Sequence, residues 1–262
     1  MRIALFDSGI GGLTVLSHAR RVLPSEEFIF FADRDHVPYG TKSVPAVRGF
    51  VRAAFRFLIE KQRADAVVVA CNTATSVAVD EMRRLYEVPI IGMEPAVKKA
   101  LERDAERRVL VTATPITING EKLHRLVSAH DTKGLVDLLA LPRLVEFAEH
   151  REFASPRVEA YLWDALSPYD LRKYSALVLG CTHFNYFKDT LRRLLPKTMG
   201  FVDGNGGTVE ELARRTGLTT VPAGTQTAQC SFFESGRPVA GAESLARIES
   251  YLARAARMEE IV

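Results

Sequence analysis

The sequence predicts an α/β protein built from two similar parallel-sheet lobes related by pseudo-symmetry. Two observations predict it. Short runs rich in Val, Ile, Leu and Phe alternate with longer stretches of helical period, the pattern of βα units that assemble a parallel sheet. One such unit is also written twice: residues 66 to 73 read AVVVACNT and residues 176 to 183 read ALVLGCTH. Each is an apolar strand, a small residue, a cysteine and two polar residues that open a helix. The two cysteines, Cys71 and Cys181, stand 110 residues apart. A similar offset relates the strand into Asp7 to the strand into Thr112, and the strand into Gly92 to the strand into Asp203.

Strands are predicted near 2 to 6, 28 to 32, 66 to 70, 89 to 92, 108 to 112, 176 to 180 and 200 to 203. The first has almost no polar positions, as expected of a strand covered by helices on both faces. Helices are predicted near 44 to 62, 76 to 87, 94 to 103, 117 to 129, 142 to 152, 184 to 195 and 208 to 215. After about residue 206 the pattern changes to a possible strand at 229 to 234 and a helix at 243 to 256, with Leu245, Ile248, Leu252 and Ala256 on one side. A lone strand needs partners, so this tail is expected to pack back on the first lobe. The expected domains are 1–94 plus 207–262 for the first lobe and 95–206 for the second, with no low-complexity linker between them.

Composition narrows the function classes. A chain of 262 residues that is 47% hydrophobic can bury a sizeable core, and nothing in it suggests disorder. Lys and Arg number 35 against 32 Asp and Glu, scattered along the chain, so the net charge of +3 does not point to a nucleic-acid partner. No segment has the roughly 18 apolar residues of a membrane span, and the opening residues lack the basic region and apolar core of a secretory signal. A cytoplasmic location, where thiols stay reduced, is expected. Three cysteines, at 71, 181 and 230, are too few for a disulfide framework and form no CxxC pair. No Cys or His pairs sit at zinc-ligand spacing, so no metal site is expected.

In open α/β sheets ligands bind beyond the carboxyl ends of the strands, and both Cys71 and Cys181 fall there. A lone cysteine at such a place is as readily a small buried hydrophobe. Two at equivalent positions, each followed by hydrogen-bonding residues, favour chemistry. A thiol at a helix start has its thiolate stabilised by unpaired N–H groups, which would make each a usable base near neutral pH. Asp7 and His183 are the nearby candidates to assist them. Cys230, in Gln-Cys-Ser-Phe-Phe, lacks that context and reads as a packing residue.

The loop DSGIGG at 7 to 12 fails the dinucleotide fingerprint, because Thr14 stands where a third glycine belongs, and it lacks the GK[ST] of a P-loop. Asp7 would also repel a pyrophosphate. A glycine turn where Asp7 and Ser8 meet a substrate ammonium fits better, beside the plainer reading of a turn alone. The segment VPYG at 37 to 40 reads by default as a structural turn. Asn72, Thr73, Thr114, Thr117 and Thr182 supply neutral donors and acceptors at strand ends or helix starts; singly they read as caps, and as a group they suit a carboxylate.

Taken together, FDSGIGGLTV at 6 to 15, VPYGTKS at 37 to 43, ACNTA at 70 to 74, GMEPA at 92 to 96 and GCTH at 180 to 183 closely resemble the glutamate racemase family, in its usual order through nearly the whole chain. The resemblance implies two α/β lobes with the active site between them, enclosing glutamate, without pyridoxal phosphate, metal or other cofactor. It implies that Cys71 and Cys181 flank the substrate α-carbon, one removing a proton as thiolate while the other supplies one as thiol. It implies that Asp7 assists Cys71 and His183 assists Cys181. The residues it assigns to substrate are Asp7, Ser8, Tyr39, Gly40, Asn72, Thr73, Thr114, Thr117, Glu149, Thr182 and His183. It further implies D-glutamate for peptidoglycan as the product, and a homodimer. The chain departs from the family's usual residues at Arg34, His36, Gly120, Leu123 and Leu141. Three other readings remain open: an aspartate racemase or related two-cysteine isomerase, a non-catalytic amino-acid-binding protein, and a thiol oxidoreductase, which needs the two cysteines within about 7 Å between α-carbons.

Overall fold

In the computed structural model, which describes residues 1–224 and 227–262, the chain opens with strand β1 (Arg2–Asp7), whose last five residues are all buried. Helix α1 (Leu13–Val22) follows the glycine loop, and β2 (Glu27–Ala32) pairs in parallel with β1. Helix α2 (Val44–Phe55) is capped by the Ser43 hydroxyl, which accepts the Ala46 N–H, and it runs on as a π-helical segment, Arg56–Lys61. Next come β3 (Ala66–Val69), α3 (Asn72–Leu85), β4 (Ile90–Gly92) and α4 (Val97–Arg103).

The second half repeats the plan. It contains β5 (Arg108–Ala113), α5 (Pro115–Ile118), α6 (Glu121–His130), β6 (Val136–Ala140), α7 (Arg143–Glu149) and α8 (Pro156–Leu166). Then follow β7 (Tyr174–Leu179), a 3-10 helix Thr182–Phe187, α9 (Lys188–Leu194) and β8 (Gly200–Asp203). The chain finishes with α10 (Asn205–Thr216), β9 (Gln229–Glu234), β10 (Arg237–Pro238) and α11 (Ala242–Glu259).

The sheets make the repeat visible. One has the order β10-β9-β2-β1-β3-β4 and the other β6-β5-β7-β8, so β2-β1-β3-β4 is echoed strand for strand. All of these pairings are parallel except that of β9 with β10. The strand expected at 229–234 does form, adding beyond β2 in parallel. Helix α11 does more than return to the first sheet. The Tyr251 hydroxyl donates to the carbonyls of Ala148 and Glu149, and Arg254 donates to the Tyr186 carbonyl and to Asp189. The tail therefore ties the two sheets together.

One hydrophobic core holds side chains of both sheets, among them Leu5, Phe30 and Val68 from the first and Leu110, Leu177 and Leu179 from the second. Two smaller cores lie on the other faces, one under α2 and α3 and one under α4 and α6.

Four differences from the sequence reading have local causes. Helix α1 lies outside the predicted helices because its glycine-rich approach reads as loop, although Leu13, Leu16, Ala19 and Val22 repeat at helical spacing and are buried. Strand β6 lies outside the predicted strands because, at the sheet edge, all five of its residues are only half-buried. Helix α8, absent from the sequence expectation, carries a serine cap, Ser155, and Pro156 at its first position. The single helices expected at 117 to 129 and 184 to 195 are each two pieces, the first broken between Ile118 and Glu121 and the second opening as the 3-10 helix.

Candidate active site

Cys71 is the N-cap of α3: its sulfur accepts the Ala74 N–H at 3.4 Å and lies 3.8 Å from the Ser8 hydroxyl. Ser8 in turn donates to Asp7 Oδ1 at 3.2 Å, and the Gly9 N–H donates to the same oxygen at 2.8 Å. The other Asp7 oxygen accepts from Thr182 Oγ1 at 2.9 Å, the residue directly after Cys181. A buried run of polar contacts thus leads from one cysteine, at the end of the first sheet, to the neighbour of the other, at the end of the second.

Cys181 sits 3.8 Å from His183 Nδ1, and His183 Nε2 lies 2.8 Å from Glu149 Oε1, which also accepts the Ile10 N–H at 2.9 Å. Glu149 therefore holds His183 and the glycine loop at once. The 3-10 helix after Cys181 gives its sulfur no capping N–H of the kind Ala74 gives Cys71. The two cysteines share a topological position but not an environment.

Burial and charge separate them further. Cys71 and Cys181 are 6% and 7% exposed, and both are free thiols. Burial pushes the Cys71 thiol well above its ordinary value; the nearby charges of Asp7 and Cys181 push the same way, against the Ala74 N–H and Ser8. The helix-start effect predicted for this residue is present, and burial outweighs it. Asp7 is raised to about 6, chiefly by burial, with His183, the Gly9 N–H and Thr182 opposing. At His183 burial favours the neutral ring, yet the bonds to Cys181 and Glu149 win and hold it well above the ordinary histidine value. Its two ring nitrogens face the Cys181 sulfur and the Glu149 carboxylate, and both partners favour the protonated ring.

The lobes meet at glycines. A Cβ on Gly11 would lie 2.4 Å from both His183 Nδ1 and Thr182 Oγ1, and one on Gly40 would lie 2.6 Å from Thr114 Cβ. The Thr73 and Thr114 hydroxyls, one from each lobe, bond at 2.8 Å, and Thr114 reaches Thr117 at 3.1 Å. Asn72 is 4% exposed and neither polar atom of its amide has a partner among the described residues. It borders a cavity of about 10 Å³ lined also by Thr75, Met93, Thr117 and Leu123. A buried amide without partners is costly, and a ligand that bonds it removes the cost.

The sequence-predicted residues fall into two groups. Asp7, Ser8, Cys71, Glu149, Cys181, Thr182 and His183 form the hydrogen-bonded run described above. Asn72, Thr73, Thr114, Thr117 and Gly40 line its flank, where the lobes touch. Tyr39 is buried and donates its hydroxyl to Asp33 Oδ2 at 2.6 Å. Asp33, which the sequence reading does not single out, directly follows β2, and its N–H donates to the Asp7 carbonyl at 2.9 Å. Cys230 lies on β9, away from this group, where burial raises its thiol to about 12. Among the described residues no group of His, Cys, Asp and Glu is arranged to hold a metal ion, and no helix is long and apolar enough to cross a membrane.

Comparison with known proteins gives concordant matches. Residues 14–212 match the family described as Asp/Glu/hydantoin racemase. The chain is 49% identical to the glutamate racemase of Campylobacter curvus, with 100% of each sequence covered. The structure of Escherichia coli glutamate racemase in complex with L-glutamate and the activator UDP-MurNAc-Ala superposes with a TM-score of 0.80 at 29% identity, covering 95% of this chain and 94% of that one. The Francisella tularensis glutamate racemase, in complex with D-glutamate, gives 0.78 at 26% identity, covering 96% and 93%.

Proposed function

This chain belongs to the Asp/Glu/hydantoin racemase family, and from that premise we propose that it interconverts L- and D-glutamate through two thiols, Cys71 and Cys181, without a cofactor. It is a racemase, hence an isomerase. The observation that carries the two-thiol reading is the placement of one buried cysteine at the matching strand end of each lobe, joined by the run Cys71, Ser8, Asp7, Thr182.

The environments divide the labour. At Cys71 burial and the charge of Asp7 favour the neutral thiol. The Cys181 sulfur instead has His183 Nδ1 as its neighbour, at 3.8 Å. In one direction the Cys181 thiolate takes the α-proton as the Cα–H bond breaks, and the Cys71 S–H delivers a proton to the opposite face of the same carbon. The reaction leaves Cys181 as thiol and Cys71 as thiolate, ready for the reverse direction.

The negative charge that develops on the substrate carboxylate needs fixed donors in a dry site. The unpartnered Asn72 amide and the hydroxyls of Thr73, Thr114, Thr117 and Thr182 suit that role. Asp7 and Ser8 suit the ammonium, whose positive charge relieves the burden that Asp7 places on a Cys71 thiolate. Glu149 and His183 act on the Cys181 side, with Tyr39 and Gly40 closing the flank. The setting implied is the cytoplasm, where thiols stay reduced. The product there is D-glutamate for peptidoglycan, and the family resemblance carries the expectation of a homodimer.

Circular dichroism of glutamate solutions tests this directly. Cys71→Ser and Cys181→Ser should each lower the racemisation rate by about 10³-fold or more, while thermal unfolding stays near that of the parent. A variant retaining a tenth of the activity would sink the two-thiol reading. Faster α-proton exchange in deuterated water with L-aspartate than with L-glutamate would reassign the substrate.

A further inference from the structure

Three donors converge on the Asp33 carboxylate, which is 5% exposed. Tyr39 donates its hydroxyl to Oδ2 at 2.6 Å, His36 Nδ1 lies 2.9 Å from both oxygens, and Ser235 Oγ donates to Oδ1 at 3.0 Å. Ser235 belongs to the turn between β9 and β10, 202 residues along the chain from Asp33. The same hydroxyl accepts the Asp35 N–H at 3.0 Å, and the Ser235 N–H donates to the Ala32 carbonyl at 2.8 Å. On the surface beside it Arg237 clasps Asp35 with two bonds, of 2.7 and 2.8 Å, and Arg34 meets Glu234 at 3.2 Å. The turn is thus stitched to the segment that carries Tyr39 and Gly40.

The backbone of Ser235 supplies a second clue. Its φ is 46°, in the left-handed region that glycine adopts freely and serine does not. Relative to glycine, what serine adds here is the hydroxyl, and that hydroxyl is wholly engaged in bridging Asp33 and Asp35. Tyr39 and Ser235 take opposite oxygens of one carboxylate, and with His36 across both they fix its rotation. Loss of the Ser235 bond leaves Oδ1 to the more exposed His36 alone, and the anchor of Tyr39 and Gly40 loosens with it.

We propose that Ser235 is a positioning residue for the substrate loop: acting through Asp33, it holds Tyr39 and Gly40 against the second lobe, so the β9–β10 turn sets substrate affinity from outside the cleft. This rests on the reading that Tyr39 and Gly40 close on the substrate.

The test is Ser235→Gly. The N–H to Ala32 is retained and the left-handed backbone relaxes, so the thermal midpoint should hold or rise. Amide exchange across residues 34–42 should quicken about tenfold, since a part-buried bond to the Asp33 carboxylate is gone. KM for both glutamate enantiomers should rise about five- to tenfold with kcat within about twofold. Exchange unchanged across 34–42 overturns the clamp. Faster exchange with an unchanged KM, in a parent protein that racemises glutamate, overturns its link to substrate binding. A parent chain that racemises no glutamate defeats the functional reading by itself, and the exchange comparison still upholds or overturns the clamp.

Discussion

At the scale of single residues the site runs on buried charge. Asp7 is the clearest case, because its carboxyl is raised to about 6 from an ordinary 3.8 by burial. A raised folded-state value means that folding favours the protonated form. The associated stability is fully present below the ordinary value and is lost as pH climbs through about 6. At neutral pH the protein therefore carries an ionised Asp7 at a cost of about 3 kcal/mol. Asp7→Asn should consequently be more stable than the parent by up to that amount in urea titrations at about pH 8, with the difference fading toward about pH 4. It should be nearly inactive. Equal stability at both pH values would show that the buried carboxylate is not under that burden.

Much of this level was legible. Cys71, Cys181, Asp7 and His183 stand next to strand ends in the sequence, and strand ends are where α/β sheets bind ligands. What burial does to each group was not legible. The helix start at Cys71 argued for a lowered thiol, and only the packing around it reveals that desolvation and Asp7 prevail.

At the scale of elements the glycine loop after β1 makes the contact on which the site depends. Gly11 allows Thr182 and His183 to approach the first lobe so closely that a methyl group has no room. Gly11→Ala should force the loop and the 3-10 helix apart. Overpacking of this kind costs about 1–3 kcal/mol, and displacement of His183 should lower kcat about a hundredfold. Racemisation rates combined with urea titrations read both effects. A stable, fully active Gly11→Ala protein would show that the loop tolerates a wider gap.

The long, periodic elements were readable because burial on one side writes apolar residues at fixed intervals, as in β1, β3 and β7. Strand β6 was not, since an edge strand with half-buried residues carries little contrast between its faces. Its place was nonetheless implied by the repeat, as the counterpart of β2. The 3-10 opening after Cys181 left no mark either, because Thr182 to Phe187 are all buried and so show no helical alternation.

At the scale of the whole molecule the two sheets share one core, and α11 fastens it by bonding to Ala148, Glu149 and Tyr186. Such lobes should not unfold separately. Under native-state exchange the amides of Ile3 to Phe6 in β1 and Val109 to Val111 in β5 should converge on one opening free energy as urea is added. A β5 that exchanges through its own, lower-energy opening would show the second lobe to be an independent unit.

The sequence by itself determined the α/β class, the duplicated βα plan and the pair of cysteines, because each is recorded in local runs of apolar and polar residues. The tertiary structure alone decided that Glu149 orients His183, that Asp33 anchors Tyr39, and that a serine some two hundred residues away secures Asp33. Those contacts join side chains remote along the chain. No periodicity encodes them, and they exist only once the shared core has brought the two sheets and the tail together.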